Sequence, residues 1–223
     1  MVDLTELKEK ARLLNRQNLA SGEIDITNEP ETNLEFIYRI FSKELQLRRE
    51  RKIEKLKKAS GFPKGVFSFD NISEVVLWQI EKLLTFEWIE GSQNIFIIGD
   101  CNTGKTNLMS YIANKAIERE YKAVYLKIDE FLTDSKETMI KLKDADIIVI
   151  DDILYLPLPN NEFQQLYRKL VFLNESRSIV LITNRELSDW IECSDDKHTM
   201  QTLLDRLNGN AQTLRLNRKR TNS

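Results

Sequence analysis

The run Gly99-Asp100-Cys101-Asn102-Thr103-Gly104-Lys105-Thr106 satisfies the spacing G-x-x-x-x-G-K-[ST] at every fixed position, the pattern of a loop whose backbone wraps a phosphate chain. Such a loop offers anion capture. Its amides and the positive end of a helix dipole face the ligand, Lys105 reaches the terminal phosphates, and the Thr106 hydroxyl can ligate magnesium. Gly99, Asn102, Thr103, Gly104, Lys105, Thr106 and the adjoining Asn107 are the candidate nucleotide-binding residues. A second constellation supplies carboxylates: Asp146-Ile147-Ile148-Val149-Ile150-Asp151-Asp152 is an apolar run ending in two acids. Asp151 suits a magnesium ion, and Asp152 suits the orientation or deprotonation of an attacking water. Asn184, after the run Ser178-Ile179-Val180-Leu181-Ile182-Thr183, could position that water or read the terminal phosphate. Alone, an acid-capped strand or an Asn opening a turn is an ordinary feature; the phosphate loop gives both a use.

These residues need strands and helices to hold them. Asn94–Ile98 reads as a short buried strand feeding the loop, and Leu108, Met109, Ile112, Ala113, Ala116 and Ile117 recur on one face of a helix over 104–120. The chain then alternates: strand 123–128, a helical segment 129–143, strand 146–151, helix 161–175 and strand 178–183. A final helix near 199–207 and a tail strand at 213–216 follow. Strands alternating with helices imply an α/β fold with a parallel sheet covered on both faces. In such sheets, polar residues at the C-terminal ends of strands face the ligand crevice.

The segment before this core differs. Residues 3–19 are helix-like, 21–31 is a polar connector, and 31–60 reads as one long helix. Its first half carries Leu34, Ile37, Tyr38, Phe41 and Leu45 at helical spacing, a stripe that must pack on something. Its second half is basic, with Arg48, Arg49, Arg51, Lys52 and Lys55 prominent. Such an arm either tracks the phosphate backbone of double-stranded DNA or is a solvated helix face. Gly61-Phe62-Pro63-Lys64-Gly65 breaks the helix and marks the expected boundary between a helical domain, 1–60, and the α/β domain, 61–223. A helix over 73–88, closed by Gly91, leads into the first strand.

The bulk properties exclude several classes. With 223 residues, 41% hydrophobic and 30% charged, the chain has the make-up of a globular protein. A net charge of −2 makes any nucleic-acid signal local. Cys101 and Cys193 do not make a disulfide framework, and His198 lies in a polar stretch. The apolar runs are of strand length, and Met1–Glu6 lacks the basic start and apolar core of a secretory leader. A cytoplasmic protein is expected.

Together these residues resemble the IstB-like transposition helper ATPases of the AAA+ group, which also contains the DnaC-type helicase loaders. The resemblance is carried by Tyr155-Leu156-Pro157-Leu158, by Ser178–Trp190, by Leu203-Leu204-Asp205-Arg206-Leu207, and upstream by Phe69-Asp70 and Leu84–Gly91. It covers roughly residues 15–216 and implies an AAA+ P-loop NTPase core with a small N-terminal helical domain. It further implies ATP and Mg²⁺ as cofactors and an ATP-dependent homo-oligomer on double-stranded DNA, which delivers that DNA to a transposase. A replicative helicase is the partner in the alternative loader reading. In that scheme Arg206 is an arginine finger reaching a neighbour's γ-phosphate; without the resemblance it reads as a surface ion pair with Asp205 or another acid. A small-molecule kinase would also use a phosphate loop, but no arginine-rich lid is recognisable.

The chain departs from the family pattern in four places. Asn102 stands where a second loop glycine is common, and Asn tolerates positive φ better than other non-glycine residues. Asp151-Asp152 replaces Asp-Glu, a shorter acid that would slow hydrolysis without affecting binding. The segment between strands 123–128 and 146–151 is shorter than usual, in a region that lines DNA in the family. The closing Ser-Tyr-Arg stretch with its sensor-2 arginine is not recognisable, which leaves Arg218, Lys219 and Arg220 as loose substitutes.

Overall fold

The computed structural model describes residues 4–26, 32–70 and 72–217; Arg218, Lys219 and Arg220 lie outside them. The chain divides into two compact units, Met1–Lys55 and Leu56–Ser223. The division falls inside a long helix, and residue 60 instead follows that helix's end.

In the first unit the helix expected over 3–19 is two, α1 (Leu4–Leu13) and α2 (Gln17–Ser21). Asn15, at φ 55°, turns the chain between them, a conformation that costs asparagine less than most residues. Gly22, at φ 82°, closes α2 by giving its N–H to the carbonyls of Asn18 and Leu19, a left-handed glycine cap. α3 (Asn33–Ala59) is the expected long helix. Glu44 is buried on it, with Oε1 accepting from Arg48 Nε at 2.7 Å. Arg48 also donates to the carbonyl of Asn15, and Arg51 pairs with Glu23. The apolar stripe departs from expectation: Ile37, Tyr38, Phe41 and Leu45 are exposed, with the Arg16 guanidinium over the Phe41 ring.

The second unit is built on a five-stranded sheet in the order β2-β3-β4-β1-β5. The strands are β1 (Asn94–Ile98), β2 (Ala123–Lys127), β3 (Ile147–Asp151), β4 (Ser178–Thr183) and β5 (Ala211–Arg215). Every pairing is parallel. β1, β3 and β4 are buried along their whole length, which is why they read as continuous Ile/Val runs rather than alternating ones. β4 lies between β1 and β3, in register Ile98↔Thr183 and Ile150↔Leu181. Asn94 fastens the start of the sheet: its amide donates to Leu207 O at 2.9 Å and accepts from Ile179 N at 3.2 Å.

Helices cover the sheet as the periodicity predicts, with local breaks that it does not. α6 (Lys105–Glu118) buries Leu108, Met109, Ile112, Ala113, Ala116 and Ile117. α9 (Asn160–Asn174) buries Phe163, Leu166, Leu170 and Leu173, each such side chain contributing about 1.5–3 kcal/mol. The helix expected over 73–88 is split into α4 (Glu74–Leu83) and α5 (Glu87–Glu90) by Phe86 at φ 68°. The segment 129–143 is α7 (Ile128–Leu132) and α8 (Lys136–Asp144). α7 stops where the Lys169 ammonium, buried on α9, takes the carbonyls of Phe131, Leu132 and Thr133 at 2.9, 3.2 and 3.1 Å. A cation on the last carbonyls is a strong helix end. A 3-10 helix, Leu187–Cys193, was not expected; it buries Trp190 against Phe96 with ring centroids 5.9 Å apart. α10 (Lys197–Asn208) precedes β5, the edge strand beside β1.

Candidate nucleotide site

The strand order decides which residues meet. With β4 between β1 and β3, their C-terminal ends present, side by side, the phosphate loop, Asn184 and the acid pair. They line one cleft of about 440 Å³ together with Cys101, Asn102, Gly104, Lys105, Thr106, Asn107, Tyr155 and Thr183.

The loop's shape has three local causes. A Cβ on Gly99 would stand 2.3 Å from the Leu216 carbonyl oxygen, because Leu216 N donates to Ile98 O at 2.8 Å just beyond β5. Only glycine lets the two backbones run so close. Gly104, at φ 93°, caps α6 and aims the first amides of the helix at the cleft. Asn102 adopts φ 62°, so the residue in place of a glycine takes the left-handed conformation expected of it. Thr103 ties the loop, its hydroxyl donating to Asp100 O at 2.9 Å.

Lys105 Nζ donates to the carbonyls of Gly99 and Asp100 at 2.8 Å each. Burial pulls its pKa below the ordinary lysine value, against the opposing pull of Cys101, Asp151, Asp152 and Asp100. Across the cleft, the Thr106 hydroxyl donates to Asp151 Oδ2 at 2.6 Å. This bond joins the two sequence motifs. Asp151 is 4% exposed, and its other oxygen accepts the Asp152 N–H at 2.8 Å.

Asp152 and Leu154 both have positive φ, 57° and 53°, so the turn after β3 is strained. Ile153 N, bonded to Ile182 O at 3.1 Å, pins it to β4. Such strain gathers at functional sites. The Asp152 carboxylate is 58% exposed, with Lys127 Nζ 4.0 Å away. Asn184 Nδ2 lies 3.9 Å from Cys101 Sγ, and Asn184 Oδ1 is buried with no partner among the described residues. A buried, unpaired amide oxygen in a polar cleft is a group awaiting a donor.

The donor set fits a magnesium–nucleotide. The Thr106 hydroxyl and Asp151 carboxylate are hard oxygens in contact, suited to Mg²⁺. Among the described residues no group of three or more His, Cys, Asp or Glu could hold a metal alone, so further ligands would come from phosphate and water, as Mg²⁺ prefers. The ion would neutralise phosphate charge there.

Some expected residues lie elsewhere. Arg206 is exposed in the last turn of α10 and does not line the cleft. The acid beside it, Asp205, accepts from Gln201 at 2.8 Å. Arg48, Arg49, Arg51, Lys52 and Lys55 all belong to the first unit. Gly99 and Thr103 shape the loop without lining the cleft. Sequence reasoning missed Tyr125, whose hydroxyl donates to Asp151 Oδ2 at 2.8 Å. Its one signal was a polar-tipped aromatic near the C-terminal end of a strand. It also missed Tyr155, which follows the strained turn.

A parallel sheet with the phosphate loop after β1, the acids after β3 and Asn184 after the intervening β4 defines an AAA+ ATP-binding protein. Comparison with known proteins makes this specific. The chain belongs to the family of IstB-like ATP binding proteins, whose model matches residues 25–222. It is 26% identical over 219 residues to a Bacteroides fragilis protein named "Insertion sequence IS21-like putative ATP-binding protein", covering 91% of this chain and 83% of that one. It is 28% identical to the corresponding protein of insertion sequence IS5376 from Geobacillus stearothermophilus, over 78% of this chain and 74% of the relative. Among solved structures the DnaC helicase loader shares the fold, with TM-score 0.53 at 13% identity, over 73% of this chain and 99% of that one. DnaI does so with TM-score 0.54 at 13% identity, covering 74% and 94%. No described helix is long and apolar enough to cross a membrane.

Proposed function

We propose that the protein is a Mg²⁺-dependent ATPase that assembles as a homo-oligomer on double-stranded DNA and assists a mobile-element transposase. The observation that carries the catalytic half is the Thr106–Asp151 bond, which brings the phosphate loop and the acid strand to one point. Lys105 would hold the terminal phosphates. Thr106 and Asp151 would hold magnesium. Asn184, with its unpaired Oδ1, would orient the attacking water, and the exposed Asp152 carboxylate would take its proton. Arg206, outside the cleft of its own chain, would serve a neighbour's site. The transposase reading rests on the family and its insertion-sequence relatives; the likeness to helicase loaders is one of fold.

DNA contact is assigned to the basic part of α3. The carriers of phosphate contact would be Arg48, Arg49, Arg51, Lys52 and Lys55, of which Arg48 and Arg51 also bind Asn15, Glu44 and Glu23 within their unit. The test of the catalytic assignment is Asp152→Ala. It should bind ATP as the wild type does and lose about 10²–10⁴-fold in turnover. Wild-type turnover in this variant would remove Asp152 from the mechanism.

A further inference from the structure

Asp151 is held from a third side. The Tyr125 hydroxyl, on β2, donates to Asp151 Oδ2 at 2.8 Å, the oxygen that also accepts the Thr106 hydroxyl at 2.6 Å. The rest of Tyr125 is gripped by the turn that follows α3. Its backbone N–H donates to Ser60 O at 2.8 Å, and its ring lies 5.4 Å from that of Phe62 at an interplanar angle of 45°. Gly61, at φ 76°, passes so close that a Cβ there would stand 3.2 Å from Tyr125 O.

We propose that Tyr125 is a positioning residue for Asp151, fixing the carboxylate in the orientation that a magnesium–nucleotide requires and tying that orientation to the Ser60–Phe62 turn at the end of α3. The inference rests on the ATP–magnesium reading of the site. A carboxylate at the end of a strand is free to rotate about its side-chain bonds. Donors on both oxygens stop that rotation, and those on Oδ2 come from two separate elements, the start of α6 and β2. Partners of this kind, one bond removed from the metal, are worth about 10–100-fold in metal affinity. Were Tyr125 only filling space at the sheet edge, phenylalanine would serve as well.

The test uses the full chain and a fluorescent ATP analogue, with affinity measured in EDTA and across a Mg²⁺ titration. Tyr125→Phe keeps the ring and its contact with Phe62 and removes only the donor. Its Mg²⁺ midpoint should rise about tenfold, while its affinity in EDTA stays that of the wild type. Phe62→Leu, which keeps the hydroxyl, should shift the same midpoint by a smaller factor, again without change in EDTA. An unshifted midpoint in Tyr125→Phe overturns the positioning role, and an unshifted midpoint in Phe62→Leu overturns the tie to the turn. Equal losses with and without Mg²⁺ make Tyr125 a packing residue and overturn the proposal. Wild-type protein that fails to bind the analogue under either condition overturns the ATP reading itself, and this inference with it.

Discussion

Gly99→Ala is expected to damage the protein before any nucleotide is considered. The added Cβ would stand 2.3 Å from the Leu216 carbonyl oxygen, a backbone atom with no side-chain freedom to yield. Reaching ordinary van der Waals separation requires the two strands to part by about 1 Å. That movement strains or breaks the Leu216 N–H···Ile98 O bond, now 2.8 Å. Overpacking costs about 1–3 kcal/mol and the hydrogen bond about 0.5–1.5 kcal/mol, so the expected loss is about 2–4 kcal/mol. With a urea slope of about 3 kcal/mol/M for a domain of this size, the midpoint should fall by about 1 M. Equilibrium unfolding without nucleotide, followed by fluorescence of the buried Trp88 and Trp190, reads this directly. Gly104→Ala is the control: its Cβ meets only the Phe67 ring, at 3.8 Å, so the cost is the left-handed backbone alone, about 1–2 kcal/mol. A Gly99→Ala midpoint equal to wild type would refute the argument that the fold, not the ligand, demands this glycine.

Arg206→Ala should leave ATP affinity unchanged and lower turnover. Mixing it with Lys105→Ala subunits, which keep their own Arg206, should restore part of the activity wherever the two co-assemble; co-assembled mixtures with no restoration would place the arginine's role within its own chain or nowhere. Neutralising Arg48, Arg49, Arg51 and Lys52 together should weaken DNA binding and lower the slope of log affinity against log salt by about 4. An unchanged affinity and slope would make that helix face a solvated one.

The candidate site was largely legible because its parts are local. Gly99–Thr106 and the runs ending in Asp151 and Thr183 carry their own boundaries in glycine, aspartate and asparagine, and continuous Ile/Val runs mark strands buried on both faces. What escaped depends on tertiary context. Asn15 and Phe86 turn the chain in left-handed conformations inside stretches with helical periodicity, and nothing in a hydrophobic pattern marks such a residue. α7 ends where Lys169, far along the chain, reaches its carbonyls. The placement of β4 between β1 and β3, on which the site depends, is a matter of strand order rather than composition. Arg48 read as a free cation because one of its partners, the Asn15 carbonyl, becomes a neighbour only when α1–α3 fold together.

The central claim, that ATP held by Lys105 drives assembly on DNA, is tested most directly by measuring particle size with and without ATP–Mg²⁺ and double-stranded DNA, for wild type and Lys105→Ala. The account predicts that wild-type protein forms a larger species only when nucleotide and DNA are both present, and that Lys105→Ala stays at its nucleotide-free size under every condition. Assembly that proceeds equally in Lys105→Ala, or without nucleotide, would contradict it.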